Sequence, residues 1–141
     1  MEISVNINLK PSIVKKELIF NTDLHFEHEY WSRELNFWED ELDSFQNRLD
    51  ELVIRWTDND VLAQIEKFQN KLLIQYEVIN SIKNRIEMHE ANMASHSMKN
   101  QDSLNKDLVK KHLVIRERME EQRDQMSLLK KDLFKFLTKY M

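Results

Sequence analysis

Three histidines interrupt rows of residues that are otherwise apolar. His28, His89 and His112 each occupy a heptad-spaced position where a buried aliphatic or aromatic side chain is the rule. Neutral imidazole is a good ligand for zinc, nickel, copper or iron, and three imidazoles leave at least one coordination position open for water, carboxylate or substrate. If the three rings meet, the chemistry to expect is one transition-metal ion per chain, zinc favoured, with hydrolytic or sensing activity. Glu90 follows His89, and His25 lies one helical turn before Glu29. On facing flanks of the histidine layer, either residue would complete a coordination sphere or orient a ligand. The competing reading is architectural. Buried histidines that bond to one another, to Glu90 or to water form a polar layer that fixes helix register at some cost in stability.

The rows themselves establish the elements. The first is Leu24, His28, Trp31, Leu35, Trp38, Leu42, Phe45, Leu49, Leu52 and Trp56, spaced alternately by four and three. The second runs Val61, Ile65, Phe68, Leu72, Gln75, Ile79, Ile82, Ile86, His89, Met93, His96. The third runs Leu108, His112, Ile115, Met119, Gln122, Met126, Leu129, Leu133, Phe136, Tyr140. Alternation by three and four keeps one face of a helix apolar. Three long helices follow, over about 22–56, 59–96 and 102–140, each roughly 50–60 Å long at 1.5 Å per residue. Thr22 is the expected cap of the first, and Thr57–Asp60 the turn and cap before the second. Ser97–Ser103 is the polar connection before the third, with Asp102 or Ser103 as its cap.

Short connections make neighbouring helices antiparallel. With the first turn at Asp58–Asn59, Trp31 falls opposite Ile86, Trp38 opposite Ile79 and Trp56 opposite Val61; the same register sets His28 opposite His89. With the second turn at Asn100–Gln101, His89 falls opposite His112 and Ile86 opposite Ile115. The expected fold is all-α: an up-down-up antiparallel three-helix bundle with coiled-coil-like packing, residues 22–141 forming one domain. Residues 1–21 form an N-terminal arm, in which Ile3, Val5, Ile7 and Leu9 alternate with Ser4, Asn6 and Asn8 before Pro11 intervenes.

Composition excludes several functions. The 141 residues contain no Gly, one Pro and no Cys, which removes glycine-dependent phosphate loops, nucleophile elbows, disulfides and thiolate chemistry. A ferritin-like di-iron site needs inward Glu-x-x-His pairs, but His25, Ile86 and Val109 stand three residues before the seam histidines. The net charge of −4 disfavours nucleic acid. The basic residues of the third helix (Lys110, Lys111, Arg116, Arg118, Arg123, Lys130, Lys131) are interspersed with acids, as on a salt-bridged face. No membrane-length apolar segment or signal peptide is visible, and a cytoplasmic protein is expected. Tyr30, Phe37, Leu73, Ile74, Leu113, Val114, Leu128 and Phe134 lie off the seams; either the N-terminal arm or a second copy of the chain would cover them. The leading expectation is therefore a non-enzymatic structural or protein-interaction module that forms a homodimer, without cofactor. The alternative is a metal-binding bundle using His28, His89 and His112.

Overall fold

A computed structural model describes the backbone of residues 11–98 and 106–141 and the side chains of residues 23–95 and 106–141. The chain forms an all-α three-helix bundle from α1 (Pro11–Arg55), α2 (Asn59–Met98) and α3 (Lys106–Tyr140). No strand occurs among the described residues, and none of their helices is long and apolar enough to cross a membrane.

Helix α1 begins well before Thr22, which lies inside the helix rather than at its cap. Pro11 opens the helix, where its missing N–H and fixed φ are harmless. From Ser12 to Asn21 the chain contains no Gly or second Pro, and a mid-helix Thr costs only a fraction of a kcal/mol. Residues 11–21 are therefore the opening turns of α1 rather than an arm; residues 1–10 lie outside the described residues. Asp58 caps α2, its carboxylate accepting the backbone N–H of Asp60 at 2.8 Å and of Val61 at 3.2 Å. The expected caps of α3, Asp102 and Ser103, are outside the described residues.

The helices pack as two compact units, one comprising residues up to Arg33 with Ile82–Glu120, the other Glu34–Ser81 with Glu121–Met141. In the second unit, the core is Leu35, Trp38, Leu42, Phe45, Leu49 and Leu52 of α1, Val61, Ile65, Leu72 and Ile79 of α2, and Met126, Leu129, Leu133 and Phe136 of α3. Every one is a seam residue, and burying each contributes about 1.5–3 kcal/mol. A polar pair crosses this core, the Gln122 side-chain amide donating to Gln75 Oε1 at 2.6 Å. Trp56 Nε1 donates to the Tyr140 carbonyl at 3.0 Å, satisfying one of the orphan acceptors at the end of α3. Two flanking ion pairs link α1 to α3 in this unit: Glu34 with Arg123, both bonds 2.8 Å, and Glu41 with Lys130 at 2.9 and 3.1 Å.

In the first unit, Leu24 and Trp31 of α1, Ile82 and Ile86 of α2, and Leu108, Ile115 and Met119 of α3 are buried. Among them lie His28, His89 and His112, each no more than 2% exposed.

Candidate metal centre

One ring comes from each helix: His28 from α1, His89 from α2, His112 from α3. The seam rule that buries Leu24 and Trp31 also turns His28 inward, and Ile86 and Leu108 do the same for His89 and His112. The ring centroids are 5.0 Å apart for His28–His89, 4.9 Å for His28–His112 and 5.6 Å for His89–His112. Trp31 stacks on His112 at 4.9 Å and tilts against His28 at 5.6 Å, closing one side of the cluster with an apolar wall. One nitrogen from each ring lies within 4.8 Å of the others.

Carboxylates hold two of the rings from outside. Glu90 bonds His28 Nδ1 at 2.7 Å with one oxygen and His25 Nδ1 at 2.8 Å with the other. Glu27 meets His112 Nε2 at 2.6 Å and grips Arg116 through both oxygens, at 2.7 and 3.0 Å. A continuous chain of contacts therefore runs from exposed His25 through Glu90, His28, His112 and Glu27 to Arg116.

The charges assign the protons. Burial pushes the Glu27 carboxyl up, but the hydrogen bonds from His112 and Arg116 and the guanidinium charge outweigh it, bringing the pKa down to about 2. Glu90 is likewise lowered, because bonds from His28 and His25 overcome its burial. Both are carboxylates at neutral pH and only accept hydrogen bonds, so His28 Nδ1 and His112 Nε2 must carry the protons they face. Burial lowers both histidines, against the opposing pull of Glu90 on His28 and of Glu27 on His112. His89 has no carboxylate bond, and burial, reinforced by its two histidine neighbours, pushes it down to about 4.

Neutral His28 protonated at Nδ1 and neutral His112 protonated at Nε2 leave lone pairs on His28 Nε2 and His112 Nδ1. These two nitrogens face each other at 3.0 Å. Such a contact is a hydrogen bond only if a further proton sits between them, and burial opposes that charge. His89 adds a second imbalance: neither ring nitrogen has a hydrogen-bond partner among the described residues. An unsatisfied buried polar group ordinarily costs about 1–3 kcal/mol. A cation among the three rings would take the facing lone pairs of His28 and His112 and one of the two His89 nitrogens. Nitrogens bound tetrahedrally to zinc at about 2.0–2.1 Å lie roughly 3.3 Å apart; the His28–His112 pair is already near that separation.

The histidine convergence expected from the seams is therefore present. Glu90 stands behind His28, where it orients the ring, and is not a member of the three-histidine group. His25 is more than half exposed and bonds to Glu90, with Glu29 3.7 Å away; it too lies outside the group. The side chain of His96 is outside the described residues. Glu27 and, through it, Arg116 are the partners of His112 that spacing did not tie to the histidines, although Arg116 was expected on a salt-bridged face. A signal was present: Glu27–Arg116, Glu34–Arg123 and Glu41–Lys130 all share a separation of 89 residues. Extending the acidic flank of α1 one heptad back from Glu34 reaches Glu27. Comparison with protein-family models, with curated proteins and with solved structures finds no match.

Proposed function

We propose that the protein binds one transition-metal ion, zinc favoured, through His28, His89 and His112. The observation that carries this reading is His89, 2% exposed with both ring nitrogens unpartnered among the described residues, beside two rings whose outward nitrogens already serve carboxylates. Histidine ligands in metal sites commonly donate their second N–H to a carboxylate, which sets the tautomer and strengthens the ligand. Glu90 and Glu27 are placed to do this for His28 and His112. With three protein ligands, zinc keeps a position for an exchangeable ligand and acidifies a water bound there. That position suits either hydrolysis or ligand sensing.

Metal content of tag-free protein purified without chelator tests the reading, beside His28→Ala. One equivalent of metal per chain, lost in the variant, is expected. Absence of metal, with no thermal stabilisation on adding zinc, nickel, copper or iron, would leave the histidines as architecture.

A second role rests on a separate observation. In the second unit Phe37, Leu73, Ile74, Leu128 and Phe134 are all more than half exposed. Exposed large apolar side chains favour association where they adjoin, so we also propose that the chain self-associates as a homodimer. Phe37→Asp and Phe134→Asp should then convert a dimer to a monomer in sedimentation; a wild-type chain already monomeric at all concentrations would refute it.

A further inference from the structure

A trough opens beside His89, between α2 and α3 of the first unit. Its volume is about 510 Å³, within the range of pockets that enclose small organic ligands. His89 forms part of its lining, so the one ring whose nitrogens have no hydrogen-bond partner among the described residues borders this space. The lining has two chemical characters. Met88, 67% exposed, and Val114, 43% exposed, offer apolar surface. Arg85, Lys110 and Lys111 supply three cations, and no acidic residue is among the described residues that line the trough. None of the three forms an ion pair with a carboxylate among the described residues. This concentration of positive charge stands out in a chain whose net charge is −4.

We infer that the trough binds a small organic anion whose charged head reaches the open coordination position at the histidine cluster and whose apolar body lies on Met88 and Val114. The inference rests on the metal reading for the placement of the head. The trough lining accounts for both ends of the ligand. Unpaired cations beside a low-dielectric wall attract and retain an anion, and exposed Met and Val surface gains from covering an aliphatic or aromatic body. Inorganic phosphate satisfies the first requirement and not the second. A neutral aliphatic alcohol satisfies the second and not the first.

The test uses the full chain loaded with cobalt(II), whose visible absorption reports changes in its ligands. The probes are octanoate, 1-octanol and inorganic phosphate. Octanoate should shift the cobalt bands saturably, 1-octanol should not, and phosphate should bind more weakly than octanoate. The double variant Arg85→Glu/Lys110→Glu, both positions solvent-exposed, should weaken octanoate by roughly tenfold or more while cobalt content and helical circular dichroism stay unchanged. Val114→Trp, which fills the apolar side without altering charge, should weaken it as well. Unchanged cobalt bands with octanoate at full cobalt occupancy would overturn the inference and leave the metal reading standing, as would octanoate affinity indifferent to charge reversal. Failure of cobalt to bind would instead sink the metal reading. Calorimetry on metal-free protein then judges the trough by itself: octanoate binding lost in Arg85→Glu/Lys110→Glu upholds an anion site, and no binding overturns it.

Discussion

The two compact units place polar residues at seam positions and treat them differently. In the second, Gln122 and Gln75 interrupt the apolar rows and meet each other, donor to acceptor, at 2.6 Å. In the first, His28 and His112 meet at 3.0 Å with lone pairs on both sides, and His89 meets no partner among the described residues. The flanking ion pairs show the same contrast. Arg123 holds Glu34 in the second unit, whereas Glu27, held by Arg116 in the first, also receives His112. An amide carries its own donor and acceptor, so a facing pair of amides closes on itself. An imidazole whose proton is committed outward presents a bare acceptor inward; His28 and His112 are two such acceptors facing each other, and His89 adds a buried ring with no partner among the described residues. A polar seam residue thus reads as architecture when its partners are complete and as a site when they are not.

Acid should break the comparison most strongly. His89 holds a pKa of about 4 in the folded chain against 6.5 unfolded. Between those values the unfolded chain binds a proton that the folded chain refuses, so metal-free protein loses stability as pH falls through this window. The gap corresponds to about 3 kcal/mol, and the lowered His28 and His112 act in the same direction. Glu27, held down from 4.5 to about 2, adds a further loss as pH falls from the first value to the second, where the unfolded chain protonates it and the folded chain does not. Urea unfolding in chelator across pH 7 to 4 should show the decline, and His89→Leu should remove much of it above pH 4.

The same two units can be compared by sign. His89→Leu removes two unpartnered nitrogens and should stabilise the metal-free protein by about 1–3 kcal/mol. Gln122→Leu leaves Gln75 without its donor and should destabilise by a similar amount, about 1–3 kcal/mol. Chemical denaturation of the two variants in chelator would show opposite shifts; equal destabilisation would mean that His89 is an ordinary satisfied core residue.

A smaller change sharpens the role of the carboxylate. Glu90→Gln keeps the shape beside His28 and removes the charge. Zinc affinity in a competition titration should fall by about 10–100-fold, and zinc stoichiometry should hold. An unchanged affinity would separate Glu90 from the metal centre.

Much of this was legible from residue spacing. The alternation of three and four names every residue that the structure buries, and one register brings the three histidines to one place. Spacing sets which side of a helix a residue faces, and for apolar residues that is nearly the whole story. It does not set what a ring nitrogen bonds to. That Glu90 holds His28, that Glu27 and not a water or another histidine holds His112, and that His89 is left over depend on side-chain rotamers and on flank positions, where many acids compete. The start of α1 escaped for a different reason. Thr22–Asp23 reads as a cap signal, but a cap residue does not end a helix already running through favourable residues from Pro11.

X-ray absorption at the zinc edge tests the central claim most directly. In protein loaded with one equivalent of zinc, about three imidazole nitrogens at roughly 2.0–2.1 Å and one further oxygen ligand are expected, with the imidazole signal collapsing in His89→Leu. A shell made of oxygen alone, unchanged in that variant, would place the ion on surface carboxylates and contradict the account.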